Sequence, residues 1–439
     1  MGDYMKENSI WLDTVTMKEF ESLSSNLSVD VLVIGGGITG LLCAYELKNR
    51  GYDCVVVERD KIASKTTKDT TAFITAQHEK LYQDILNEKG FKAAKEYLDI
   101  NLKALKKYKD LSLKYDIDYQ ECKSILFDTD DTYIIRKEKA TLEILGYDPI
   151  LVIDSPLNIP FSLGIAFENQ ATINPLKLVN CLSEELRIYE DTNIVKIKKN
   201  YCVTSKGNKI FYNKLIIATH YPIYNKKGLY FMKLTQRRSY CLGIEMDKKN
   251  NDYFYDTYCG INEDSLYFRT YKDYLIIGGN DRDNKEECLT SFKERIGKII
   301  INDKIIYNWS GQDCISLDGI PYIGRHNMID KNIFVATGFN LWGFTWAMAS
   351  SFIIADMIEK NIVCDLTDPR RIVINKRLFS NIANSVKHLF RFKKPRCKHL
   401  GCSLKYNKIE HTWECPCHGS RYNASGEVLD GPSQKDLNI

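Results

Sequence analysis

Asp30 to Gly40 reads Asp-Val-Leu-Val-Ile-Gly-Gly-Gly-Ile-Thr-Gly, and this stretch sets the expectation for the fold. Asp30 to Ile34 is a β-branched run of the kind found in buried parallel strands. Gly35, Gly37 and Gly40 then fit the spacing G-x-G-x-x-G. The first glycine permits a tight turn, the second lets the backbone approach a pyrophosphate, and the third lets helix pack on strand. A helical segment, Leu41 to Arg50, follows, and the free N–H groups and dipole at such a helix start favour phosphate. Cys54 to Val57 reads as a second strand ending at Glu58, where a carboxylate bonds ribose hydroxyls and repels a 2′-phosphate. The motif alone leaves FAD and NAD both open.

The rest of the chain is that of an ordinary folded protein. Its 439 residues are 44% hydrophobic and 27% charged with only 10 prolines, which excludes wholesale disorder and collagen-like or mucin-like structure. A net charge of +4 gives no reason to expect nucleic acid. Met1 to Asp30 lacks a basic stretch followed by an apolar core, so no signal peptide is expected, and the working assignment is cytoplasmic. The uncharged run Asn332 to Ala355 contains Gly338, Asn340 and Gly343, and reads as strand, glycine turn and buried helix rather than a membrane span.

Ten of the fourteen cysteines are scattered between Cys43 and Cys364, as reduced core thiols would be. The other four gather beside two histidines: Cys397-Lys398-His399-Leu400-Gly401-Cys402 and Cys415-Pro416-Cys417-His418-Gly419-Ser420. The pattern is C-x-H, fifteen residues, then C-x-x-H, with one further cysteine in each box. One cysteine and one histidine from each of two loops supply the ligands of a Rieske [2Fe–2S] centre, in which histidines replace two cysteines and raise the potential. Structural zinc, whose cysteines usually pair at longer spacing, and a plain disulfide are the alternatives.

Several segments resemble the FAD-dependent amino-acid oxidase family that includes glycine, sarcosine and D-amino-acid oxidases. They are the threonine-rich loop Thr66-Thr67 to Thr70-Thr71-Ala72, the step Ile173-Asn174-Pro175, the strand Leu215 to Thr219, Gly278-Gly279, Asp318 to Gly324, and Ala336-Thr337-Gly338-Phe339-Asn340 with Gly343. The resemblance implies FAD, held by Gly35, Gly37, Gly40, Glu58, Thr66, Thr67, Gly338, Phe339 and Gly343. Lys65 and Lys68 depart from the family, standing where its members carry glycine. Resemblance to Rieske proteins implies Cys397 and Cys415 on one iron, His399 and His418 on the other, and a Cys402–Cys417 disulfide between the loops. It also implies that Ser420 and Tyr422 hydrogen-bond cluster sulfurs. The residues before Cys397 do not read as strands, so this module stands on a truncated base.

The expected fold is α/β (α+β): a Rossmann-like FAD-binding domain interleaved with an antiparallel-sheet substrate domain, plus a small C-terminal Rieske-type β module. Residues 1–29 form an N-terminal extension and residues 30–375 the oxidoreductase, with nucleotide-binding segments 30–80, 172–222 and 310–360 and substrate segments 116–171 and 223–309. Residues 376–396 read as a basic helix and linker, and 397–439 as the Rieske module. Lys80 to Tyr115 reads as one long helix, with strands at Tyr240 to Ile244, Tyr253 to Tyr258, Leu266 to Thr270 and Tyr274 to Ile277. A turn at Asn280 to Asp283 leads to a helix around Cys288 to Ile299. From Lys376 to Lys408 there are ten Lys or Arg and no acid, with Leu378, Phe379, Ile382, Val386, Leu389 and Phe390 at helical spacing. That helix packs on the flavin domain as a linker or, as the sharper alternative, docks a membrane surface or an acidic partner.

The family resemblance implies hydride transfer from an amine or amino acid to the flavin, with no protein nucleophile and with an arginine for a substrate carboxylate. Arg237, Arg238, Tyr240 and Arg269 are the candidates, and His78 and His220 lie in segments expected near the flavin. The expected activity is therefore FAD-dependent oxidation of an amine or amino acid, with electrons relayed through the cluster to a protein, quinone or O₂. The alternatives are a non-catalytic electron-transfer protein serving a partner enzyme and a zinc-stabilised binding protein.

Overall fold

The computed structural model describes residues 5–246, 254–262, 266–279, 289–300, 304–391, 395–408 and 410–438. Its first sheet has eight strands, and its centre is parallel: Ile333–Thr337, Lys209–Ile217, Leu27–Ile34, Cys54–Val57 and Arg187–Tyr189 lie side by side in that order. Every residue of Cys54–Val57 and Ile333–Thr337 is buried, as near-continuous apolar runs require when helices cover both faces. The helix Ile38–Asn49 follows the glycine turn and packs on the long helix Gly343–Lys360. The run Asn332 to Ala355 thus folds as strand, turn and buried helix, and no helix of the described residues is long and apolar enough to cross a membrane.

The second sheet has nine strands and is antiparallel except where Thr257–Gly260 runs beside Gln120–Asp128. Its order is Lys304–Ser316, Leu234–Glu245, Tyr274–Gly279, Tyr267–Tyr271, Thr257–Gly260, Gln120–Asp128, Leu163–Thr172, Phe73–Ile74. The chain alternates between the two sheets, as expected. The predicted helix Lys80 to Tyr115 is two helices, Leu81–Lys89 and Phe91–Lys114, because Gly90 stands between them at φ +82°. Of the strand expected at Tyr253 to Tyr258, Tyr253 lies outside the described residues, and among the described ones the strand begins at Thr257. The turn Asn280 to Asp283 and Cys288 lie outside the described residues, while the helix beyond them spans Leu289–Gly297.

The C-terminal module is a four-stranded antiparallel sheet of Lys405–Asn407, Thr412–Glu414, Arg421–Tyr422 and Val428–Asp430. Before it lies the helix Lys376–Leu389, capped by Asn375, whose side chain accepts from the Leu378 N–H. The helix turns a mixed face inward, with Leu378 and Ile382 half-buried beside polar residues. Asn381 Nδ2 donates to Met232 O (3.4 Å), Asn384 Nδ2 donates to Pro416 O (2.8 Å), and His388 is buried.

Candidate active site and iron–sulfur centre

The glycine turn works by exclusion of side chains. Gly35 adopts φ +113°, and a Cβ there would lie 2.4 Å from Ala218 O; a Cβ on Gly40 would lie 2.0 Å from Gly35 O. The backbone therefore passes closely over the sheet and delivers Gly37, Ile38 and Thr39, the first turn of the helix, to the wall of a cavity. Glu58, at the end of the second strand, accepts from Gly36 N (2.7 Å) and Asp60 N (3.0 Å). Burial raises its pKa despite these donors. Thr67 Oγ1 accepts from Ile38 N (3.1 Å), which ties the threonine-rich loop to the helix start.

Two adjoining cavities share Gly37, Thr66, Thr67, Ala218 and His220. One is lined by Gly35, Glu58, Lys61 and Lys65 and suits the nucleotide half of a dinucleotide. The other reaches the second sheet and holds Arg237, Ser239, Cys241, Tyr267, Gly338, Phe339, Trp342 and Gly343. Asp69 lies there too, its carboxyl pushed up to about 6 by burial even though Lys68 Nζ donates to it at 2.7 Å. A side-chain-free turn, a helix N-terminus and an acid beyond the second strand are the parts that a bound FAD requires, and these residues fit it. His78 stacks on Trp342 with ring centroids 4.7 Å apart, and burial keeps it neutral, with a pKa of about 3.

The candidate substrate arginines part company. Successive side chains of a strand point to opposite faces. On Leu234–Glu245, Arg237, Ser239 and Cys241 therefore face the flavin-side cavity, while Gln236, Arg238 and Tyr240 face the C-terminal module. Arg238 binds Glu410 and, at 2.8 Å, Glu414; the Tyr240 hydroxyl donates to Glu410 at 2.5 Å. Arg421 joins the network through Glu410 and Asp430. Arg269 is buried away from both cavities, its guanidinium donating to the carbonyls of Thr71, Ala72, Ile173 and Thr270. Its work is to join loop and sheet. Of the four, only Arg237 lies on the cavity.

The cysteine–histidine boxes form two loops built alike. Cys397 N donates to Cys402 O and Gly401 N to Cys397 O, both at 2.9 Å; Cys415 N donates to Ser420 O (2.8 Å) and Gly419 N to Cys415 O (3.0 Å). Gly401 and Gly419 take φ +84° and +77°, the left-handed turn each loop needs. The sulfurs of Cys402, Cys415 and Cys417 lie within 4.8 Å of one another, and Cys397 Sγ is 3.4 Å from the Tyr422 hydroxyl. Cys402 and Cys417, the expected disulfide partners, are unbonded thiols here. Ser420 Oγ accepts from Ser433 N (3.0 Å).

The imidazoles give the clearest test of fit. His399 and His418 stand edge-on with centroids 5.0 Å apart, and the Nδ1 of each is buried with no hydrogen-bond partner. Each Nε2 is engaged: that of His399 with Asn225 Oδ1 (3.2 Å), that of His418 with Phe231 O (2.8 Å). Both of those partners accept only, so Nε2 carries the proton and Nδ1 keeps its lone pair for a metal. Two thiol-bearing loops and two orphaned Nδ1 atoms fit a Rieske cluster. Asn225 and Phe231 lie far before the cysteine–histidine loops in the chain, so the neighbouring domain completes the surroundings of the two imidazoles.

The two centres are joined. Tyr221 packs edge-on against both histidines, at 5.8 Å from His399 and 6.4 Å from His418. Its neighbour His220 lines both cavities of the flavin site. Gln312 Nε2 donates to Gly419 O (3.2 Å), and Lys65 Nζ donates to Leu429 O (3.2 Å). The segment Leu429, Asp430, Gly431, Pro432, Ser433 and Gln434 forms part of the nucleotide cavity's wall. Lys65, the departure from the family's glycine, thus reaches the C-terminal module, and Lys68 pairs with Asp69.

Comparison with known proteins agrees with both centres. Residues 30–357 match the FAD dependent oxidoreductase family, and residues 369–439 match the Rieske [2Fe-2S] domain. A chain named for a Rieske 2Fe-2S iron-sulfur protein, YhfW of Bacillus subtilis (strain 168), is 30% identical over 97% of this chain and 96% of its own length. Among solved structures, L-proline dehydrogenase from P. horikoshii superposes with TM-score 0.64 at 19% identity, covering 79% of this chain and 98% of that one. Glycine oxidase from Geobacillus kaustophilus gives 0.65 at 15% identity, covering 80% and 100%. Glycine turn, interleaved sheets and family match agree: the chain is a member of the FAD dependent oxidoreductase family, an FAD enzyme extended at its C-terminus by a Rieske [2Fe–2S] domain.

Proposed function

We propose that the protein oxidises an amine or amino acid at the flavin and relays the electrons one at a time through the Rieske cluster to an acceptor. The observation that carries this reading is the His220–Tyr221 step. One residue lines the flavin cavities, and the next packs on both histidines whose buried Nδ1 atoms have no hydrogen-bond partner. FAD supplies hydride acceptance, and this chain's own residues supply placement. Arg237 is the cation positioned to meet a substrate carboxylate, and Trp342 and Phe339 shape an apolar wall. Arg238 and Tyr240 hold the cluster module instead of the substrate. The neighbouring thiols of Cys402 and Cys417 are placed to tie the two loops as a disulfide if a two-electron oxidant such as O₂ removes their electrons and protons. The amino-acid chemistry named for the structural neighbours supports the substrate class.

The test is anaerobic titration of the holoenzyme with a panel of primary and secondary amines and amino acids, following flavin bleaching by absorbance and the cluster by electron paramagnetic resonance. A substrate that bleaches the flavin and then develops the reduced-cluster signal is the expected result. Flavin bleaching with a cluster that stays oxidised refutes the relay. A flavin that no amine bleaches, with a cluster still reducible by dithionite, refutes the substrate assignment.

A further inference from the structure

The helix Lys376–Leu389 leaves most of its apolar residues in solvent. An amphipathic helix on a globular protein ordinarily buries its apolar stripe and solvates its polar one. Here Asn381, Asn384 and His388 face the protein together with the half-buried Leu378 and Ile382, and only His388 is fully buried. Phe379, Ala383, Val386 and Phe390 fall at i, i+4, i+7 and i+11 and form one outward row. Phe379 is 62%, Val386 49% and Phe390 66% exposed. Just ahead of the helix, Ile372 and Ile374 are 87% and 71% exposed.

The residues beside this row are cations. Lys376, Arg377, Lys387 and Arg391 are all exposed, and no acid occurs between Lys376 and Lys408. An acidic protein partner would match the charges but leave the aromatic row without a counterpart. A bilayer with anionic headgroups satisfies both, taking aromatic side chains into the headgroup–acyl boundary while phosphates meet the lysines and arginines. We infer that this helix lies in the plane of an anionic membrane surface and holds the enzyme there. Its inner face bonds the carbonyl of Pro416, between Cys415 and Cys417, so docking brings the cluster loop towards the lipid side of the molecule. The inference does not depend on the substrate class proposed above.

The experiment is co-sedimentation of full-length holoenzyme with vesicles of equal parts phosphatidylglycerol and phosphatidylcholine, and with phosphatidylcholine alone. The wild type is expected in the pellet with anionic vesicles and mostly in the supernatant with neutral ones. The double variant F379S/F390S is expected to bind anionic vesicles at least about tenfold more weakly, since each aromatic ring contributes on that order when it leaves water. K376E/K387E is expected to weaken binding to anionic vesicles only. Unchanged flavin and cluster absorbance shows that both variants fold. A wild type that stays in the supernatant overturns the inference, as does binding indifferent to the two phenylalanines. A dimer in light scattering that F379S/F390S splits also overturns it, and gives the face to a second copy of the chain.

Discussion

Replacing Arg238 by Met tests whether the ion network holds the cluster module on the flavin domain. The guanidinium meets Glu410 and Glu414, and all three side chains are largely withdrawn from solvent. Burial alone would raise the Glu414 pKa, yet Arg238 and Arg421 hold its carboxyl below the usual range. Removing one member of a buried pair costs about 3–5 kcal/mol when the partner is left alone. Glu410 here keeps Arg421 and Tyr240, and Glu414 keeps Thr412, so about 2–3 kcal/mol is expected. His399 and His418, the expected ligands, meet Tyr221 across this interface, so a chelator is expected to reach the iron when the module lifts. At tenfold per 1.4 kcal/mol, R238M speeds chelator stripping by about 30- to 150-fold. Visible bleaching under anaerobic conditions gives the rate. In the cycle with E410Q, the double variant should lose less than the sum of the single losses, because the two groups share one interaction. Stripping accelerated less than about threefold, or single losses that simply add, would refute the argument.

Two further expectations follow from the packing. In G40A the new Cβ would sit 2.0 Å from Gly35 O and 3.2 Å from Val33 Cγ1, so the purified variant should lose its flavin while keeping its iron; a normal flavin-to-protein ratio after desalting sinks the assignment of this turn. His78 and His326 are buried neutral, with pKa values lowered by burial to about 3 and about 4 from 6.5. Below about pH 6.5 the unfolded chain therefore binds protons that the folded chain does not. The stability these groups contribute is complete above that pH and is lost on acidification, by up to about 1.4 kcal/mol per histidine per pH unit. Urea unfolding followed by flavin fluorescence should show the gap between wild type and H326Q narrowing from pH 7 to pH 5, and a constant gap contradicts the reasoning.

The sequence made legible whatever depends on residue type. The glycine turn could be read because no other side chain fits beside Ala218 O and Gly35 O, and the cluster boxes because few residues ligate iron. The alternation of a strand was also in principle readable: Arg237 and Arg238 are adjacent and so cannot face the same site. What escaped were partners acting through the backbone or from afar. Phe231 orients His418 through its carbonyl, a group every residue has, and Asn225 meets His399 from far away in the chain. Glu410 and Glu414 carry no motif, although they decide what Arg238 does. For the helix Lys376–Leu389, periodicity revealed the apolar residues but not that Leu378 and Ile382 turn half inward while Phe379, Val386 and Phe390 face out, because spacing is the same whichever side faces the protein.

The wall that Leu429–Gln434 lends to the nucleotide cavity means that the two cofactor sites do not divide along the domain boundary. Part of the surface against the nucleotide belongs to the module that carries the cysteine–histidine loops, and Lys65 ties that same stretch to the threonine-rich loop. Any change in how the module sits therefore alters the surroundings of the nucleotide as well as those of the cluster.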